Sequence, residues 1–172
     1  MPTTAMLRRV FAVNVLPLLG ALAISASADA QAARAVPAAD AQRAVQTVQA
    51  LFAAAERKDL AALDTLYAGD SLLVIEGAGI NRGWADYRDN HLGPELKDFA
   101  NFKYRPFELE ARVHGDIAWI VFRYALQADV GERKVDVVGR GTAILERRGA
   151  KWVVRLTNTS SRTRRPTDPP MP

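Results

Sequence analysis

Apolar residues recur at helical steps through the first half of this chain and at alternate positions through the second. Val45, Val48, Leu51, Phe52 and Ala55 fall three or four residues apart and mark one stripe of a helix starting at Asp40 and ending near Lys58. Asp59 is placed to cap a second helix carrying Leu60, Leu63, Leu66 and Tyr67, closed by Gly69 and Asp70. Leu72 to Glu76 reads as a short strand, and Gly77 to Gly83 as a glycine-rich turn. Trp84 to about Phe99 then reads as a third helix, broken near Gly93 and Pro94.

From Phe102 the period changes to two. The runs Phe102 to Val113, Ile117 to Ala128, Lys134 to Arg147 and Lys151 to Ser161 are separated by short turns, which predicts an antiparallel meander. Ala118, Ile120, Phe122, Tyr124 and Leu126 share one face of the second run, opposite Trp119, Arg123 and Gln127. On the last run Trp152, Val154, Leu156, Asn158 and Ser160 share a face, so Asn158 continues an apolar row. Helices first and a curled meander after is an α+β plan.

The first thirty residues change the picture. Arg8 and Arg9 precede an apolar run from Val10 to Ile24, and A-x-A triplets follow, ending at Ala28, Ala30 and Ala32. This is the order of a cleaved secretion signal, and the run is shorter than the roughly 20 apolar residues a spanning helix needs. The expected organisation is a signal peptide over 1–30, a linker over 31–39, one domain over 40–161 and a basic, proline-rich, disordered tail over 162–172. The expected compartment is periplasmic or extracellular, with no membrane span after cleavage. The chain has no cysteine, which rules out disulfides, thiolate metal sites and thiol nucleophiles. The formal charge of +4 is concentrated in the tail, at Arg162, Arg164 and Arg165, and the folded part has no basic stripe interleaved with aromatics for nucleic acid.

Several phrases resemble one family. The turn Gly77 to Trp84 leads into the third helix, and the last hairpin reads Gly-Thr-Ala-Ile-Leu-Glu-Arg-Arg-Gly-Ala-Lys-Trp from Gly141 to Trp152. Over Ala41 to Ser161 the chain resembles the nuclear transport factor 2-like superfamily, in its SnoaL-like bacterial branch of secreted members. The resemblance implies a cone-shaped, strongly curved, mostly antiparallel sheet wrapped around three N-terminal helices. It also implies a pocket at the open end and a homodimer through the outer sheet face. It does not imply one activity, because members include ketosteroid isomerases, polyketide cyclases, dehydratases and non-enzymatic binders. Similar secreted members carry two histidines on the last strand, where this chain has Leu156 and Asn158, and paired histidines on the third helix, where it has Asn90 and His91.

Chemistry is sparse. Of two histidines, His114 sits in a turn sequence beside Gly115 and Asp116, while His91 shares a helix face with Tyr87. Tyr67, Trp84, Tyr87, His91, Tyr104, Tyr124 and Asn158 are the expected lining of a pocket for a small apolar or aromatic molecule. Asp70, Glu76 and Asp136 lie in or beside apolar sequence, where burial raises a carboxylate's pKa; Asp70 and His91 are the candidate acid–base groups. Neither metal-ligand spacing nor a phosphate-binding loop is present, so no metal or cofactor is expected. The first functional expectation is binding of a small molecule without turnover. The alternatives are an acid–base enzyme of the isomerase, cyclase or dehydratase kind, with Asn158 as a polar partner, and a protein-interaction module acting through the sheet face.

Overall fold

A computed structural model describes residues 22–172, with side chains from residue 38. The charged start and most of the apolar run of the expected leader lie outside the described residues. The chain divides into two compact units at Ala35/Val36; the first contributes only the start of a helix to what is described. The sheet and the candidate site belong to the second.

Helix α1 spans Leu22–Glu56 and α2 spans Leu60–Leu66. The expected linker is therefore helical, and Asp40 lies inside α1 rather than capping it. Its carboxylate has a different task. It is buried and accepts two hydrogen bonds from Arg147 (3.1 and 2.6 Å), which also reaches Asp116 and lies over the Trp152 ring. This ties α1 to the sheet. Asp59 caps α2 as expected, its Oδ1 accepting from the Ala62 N–H at 2.9 Å. Ala44, Val48, Leu51, Phe52 and Ala55 make the buried stripe of α1.

The strands are β1 Leu73–Glu76, β2 Gly79–Arg82, β3 Phe99–His114, β4 Ile117–Val130, β5 Arg133–Arg148 and β6 Lys151–Thr163, in one sheet of order β2-β1-β6-β5-β4-β3. The four-stranded meander is as expected. What the sequence did not disclose is its extension: Gly79 to Arg82 pairs with β1 as a hairpin, and β1 joins β6 in parallel. Between β2 and β3 run α3 Trp84–Tyr87, a π-helical segment Arg88–Leu92 and α4 Gly93–Asp98.

Bulges curve the sheet over the helices. Two lie in β3, where Asn101 and Glu108 adopt positive φ. Glycines on β5 supply room for the curl: the Tyr124 ring lies over Gly139 and the Phe122 ring over Gly141, each where a Cβ would stand. A third bulge has the largest consequence. Ile144 pairs with Leu156 and Leu145 with Val154, leaving Arg155 without a partner position on β5. The alternation along β6 inverts there. Trp152 and Val154 are buried on the inner side, but beyond the bulge Thr157 and Thr159 take that side, and Asn158 is exposed on the outer face.

The tail also departs from expectation. Arg162 and Thr163 belong to β6, Arg162 pairs with Asp168 through two bonds of 2.7 Å, and Arg164 donates to Asp136 at 2.7 Å. Local carboxylates pair with Arg162 and Arg164 and hold the tail against the strand end. Among the described residues no helix is long and apolar enough to cross a membrane.

Candidate functional site

The inner face of the sheet and the buried stripe of α1 enclose a cavity of about 30 Å³. It is lined by Leu51 and Phe52 from α1, Tyr67, Val74 and Glu76 from β1, Tyr87 and Leu92, Tyr104, Phe122, and Thr157 and Thr159. At roughly 10–15 Å³ for each water, that space holds two or three water molecules and is well below the usual volume of a drug-sized site. Wider hollows of about 370 and 530 Å³ lie on the outer sheet face, around Arg123, Arg140 and Ser160. They are open to solvent, and Arg123 and Arg162 on their walls are already held by Glu108 and Asp168. Titratable groups converge on the small cavity instead.

Glu76 is the central one. It follows Val74 by two residues, so the same alternation that buries Val74 turns the carboxylate inward. Its side chain is 41% exposed toward the mouth, and protein surrounds the remainder. Loss of hydration, reinforced by the nearby Glu95 charge and opposed by His91, raises its pKa above the ordinary glutamate range. Burial does the same to the hydroxyls of Tyr67, Tyr87 and Tyr104, which therefore stay protonated and able to donate at neutral pH.

His91 stands at the mouth, on the π-helical segment, with its side chain 24% exposed. Nε2 lies 3.7 Å from Glu76 and 3.4 Å from Glu95, and Nδ1 lies 2.8 Å from Asn81 Oδ1. Its ring meets the Tyr87 ring edge-on at 5.2 Å. The segment that presents it depends on Gly93, whose N–H donates to the Arg88 carbonyl five residues back. A Cβ on Gly93 would stand 2.4 Å from that oxygen.

The expected lining residues separate into three groups. Tyr67, Tyr87 and Tyr104 line the cavity and His91 guards its mouth. Trp84 and Tyr124 stand behind them: Trp84 stacks on Tyr67 at 4.9 Å and donates from Nε1 to Asp64, and Tyr124 meets Tyr104 edge-on at 5.5 Å. Asn158 and Asp70 are elsewhere. The β6 bulge carries Asn158 to the outer face, and Asp70 is exposed on the 3-10 turn Gly69–Ser71. Asp136 is paired with Arg164. Sequence reasoning did not commit to Glu76 or name Glu95, although the spacing of four between His91 and Glu95 placed them on one helical face. Among the described residues no group of His, Asp and Glu is placed to hold a metal ion.

This arrangement sits on a sheet and helix set whose family is decided by sequence: residues 44–160 match the SnoaL-like domain. The chain belongs to the SnoaL-like domain family. No curated protein matches it. Solved structures of similar fold include a candidate ketosteroid isomerase from Shewanella frigidimarina, with a TM-score of 0.62, 19% identity, and coverage of 69% of this chain and 94% of that one. A candidate dehydratase of the NTF2-like family from Streptomyces avermitilis gives 0.66, 16%, 72% and 96%. The hexachlorocyclohexane dehydrochlorinase LinA-type3 of Novosphingobium barchaimii gives 0.62, 15%, 73% and 89%. At these identities the likeness is one of fold: this SnoaL-like domain shares the fold of these structures.

Proposed function

We propose that this SnoaL-like domain is an acid–base enzyme that moves a proton on a small, mainly apolar or aromatic molecule. The observation that carries this reading is Glu76: a carboxylate of raised pKa turned into a cavity with three protonated tyrosine hydroxyls. A carboxylate made more basic by burial is suited to take a proton from carbon, and neutral hydroxyls are suited to donate to the oxygen where charge develops. Glu76 is the proposed base, and Tyr67, Tyr87 and Tyr104 supply the donors. His91 and Glu95 at the mouth pass the proton on. Structures of similar fold described as an isomerase, a dehydratase and a dehydrochlorinase support proton chemistry as the general class. Binding without turnover is the weaker reading, because an apolar carrier site has no use for a partly desolvated carboxylate beside a histidine that also faces a second carboxylate. The substrate has to push side chains apart, because the cavity measures only about 30 Å³. Export from the cytoplasm, as the first thirty residues suggest, belongs to the same proposal.

The test is hydrogen–deuterium exchange into a panel of small cyclic ketones and enones in deuterated buffer, followed by mass spectrometry. Positioned general bases contribute about 10²- to 10⁴-fold, so Glu76→Gln should reduce exchange by at least about a hundredfold. Equal exchange by wild type and variant on every compound would refute the reading. Saturable binding that Glu76→Gln leaves intact, with no exchange, would restore the binding function.

A further inference from the structure

Asp86 and Asn81 lie outside the cavity, yet they determine which nitrogen of His91 faces it. Asp86, in the first turn after Gly83, is a carboxylate and can only accept. It accepts from the Arg82 N–H at 2.9 Å, from Asn90 Nδ2 at 2.9 Å and from Asn81 Nδ2 at 3.2 Å. Those three bonds, helped by the positive charge of His91 when it is protonated, hold its pKa below the usual aspartate range. Because Nδ2 of Asn81 is committed to Asp86, Oδ1 must point the other way, and it meets His91 Nδ1 at 2.8 Å. An amide oxygen can only accept, so Nδ1 must carry a proton. The lone pair of the neutral ring is then left on Nε2, which is the atom facing Glu76 and Glu95.

We infer that Asp86 and Asn81 are positioning residues that lock His91 in the Nδ1–H tautomer, so that Nε2 alone exchanges protons with Glu76 and Glu95. In both charge states Nδ1 keeps its proton and its bond to Asn81. A proton arriving at Nε2 from Glu76 leaves along the same nitrogen to Glu95, which is more exposed, and charge is conserved at each transfer. The groups around the ring are Glu76 from β1, Glu95 from α4, Asn81 and through it Asp86, and the edge of Tyr87. None of the others competes for Nδ1. This inference rests on the acid–base reading for its purpose, but its test does not.

The chain has two histidines, so long-range proton–nitrogen NMR of the ¹⁵N-labelled protein resolves the tautomer of each at alkaline pH. His91 is expected to show Nδ1–H in the wild type. Asn81→Leu should lose that signature in favour of Nε2–H, and Asn81→Asp, which keeps an acceptor at the same place, should retain it. Asp86→Ala frees the amide to turn and should give a mixture. An Nε2–H signature in the wild type overturns the inference, and this measurement needs no variant to fold. An unchanged Nδ1–H signature in a folded Asn81→Leu overturns it as well. Loss of the signature in Asn81→Leu with ketone exchange unaffected by Glu76→Gln would keep the tautomer lock and remove the enzyme reading, so the two failures are distinct.

Discussion

Replacing Gly93 by alanine sets two familiar effects against each other, and the geometry says which wins. In an ordinary helix interior the change adds about 1 kcal/mol of stability, because glycine loses more conformational freedom on folding. Here Gly93 closes a π turn, and its new Cβ would stand 2.4 Å from the Arg88 carbonyl oxygen, where real Cβ atoms essentially never approach within 3.0 Å. The neighbour is backbone, and it is fixed by the hydrogen bond it accepts from Gly93 itself. Overlaps of this kind in packed structure cost about 1–3 kcal/mol. The net expectation is a loss of up to about 2 kcal/mol, centred near 1 kcal/mol and opposite in sign to the usual helical substitution. With a urea slope of about 1–3 kcal/mol per molar, a loss near 1 kcal/mol should lower the unfolding midpoint by about 0.3–1 M. The protein can escape the overlap by dropping the extra residue of the π turn, which would rotate His91 by about 100° around the helix axis and take Nε2 away from Glu76. Exchange activity should then fall together with stability. A midpoint at or above that of the wild type, with activity intact, would refute the idea that the π segment needs glycine to present His91.

Glu76 also has a signature in stability. Its folded pKa is raised, so between the ordinary glutamate range and that higher value the folded state holds more protons than the unfolded chain, and stability falls as pH rises through the window. Glu76→Gln removes that fall, and denaturation from acid to neutral pH should show the variant gaining on the wild type as pH increases; a constant difference would contradict the burial argument. On the outer sheet face Ile117, Trp119 and Val121 are exposed at 43, 44 and 46%. We propose that a second copy covers them, so Trp119→Glu should turn a dimer into a monomer by native mass spectrometry with its circular dichroism unchanged. A monomeric wild type removes that proposal.

Periodicity determined a good deal by itself. The stripe Val48, Leu51, Phe52 and Ala55, the Asp59 cap and the four long strands all lie where spacing put them, because each is set by local propensity and by which face must leave water. The contact between Tyr87 and His91 followed from the same patterns, since residues four apart share a helix face wherever that helix docks. The choice of carboxylate did not. Asp70 and Glu76 both flank apolar sequence, and only the parallel pairing of β1 with β6 turns Glu76 inward while the 3-10 turn leaves Asp70 in solvent. Asn158 shows the limit most clearly. Alternation from Trp152 assigns it to the inner face, but one unmatched residue at Arg155 inverts every position beyond it. A bulge arises from how two strands meet their neighbours and from the curvature the sheet needs, and the pattern along one strand carries no mark of it. The tautomer of His91 is tertiary for the same reason, since Asn81 and Asp86 act on it through a hairpin and a helix turn that spacing alone did not bring together.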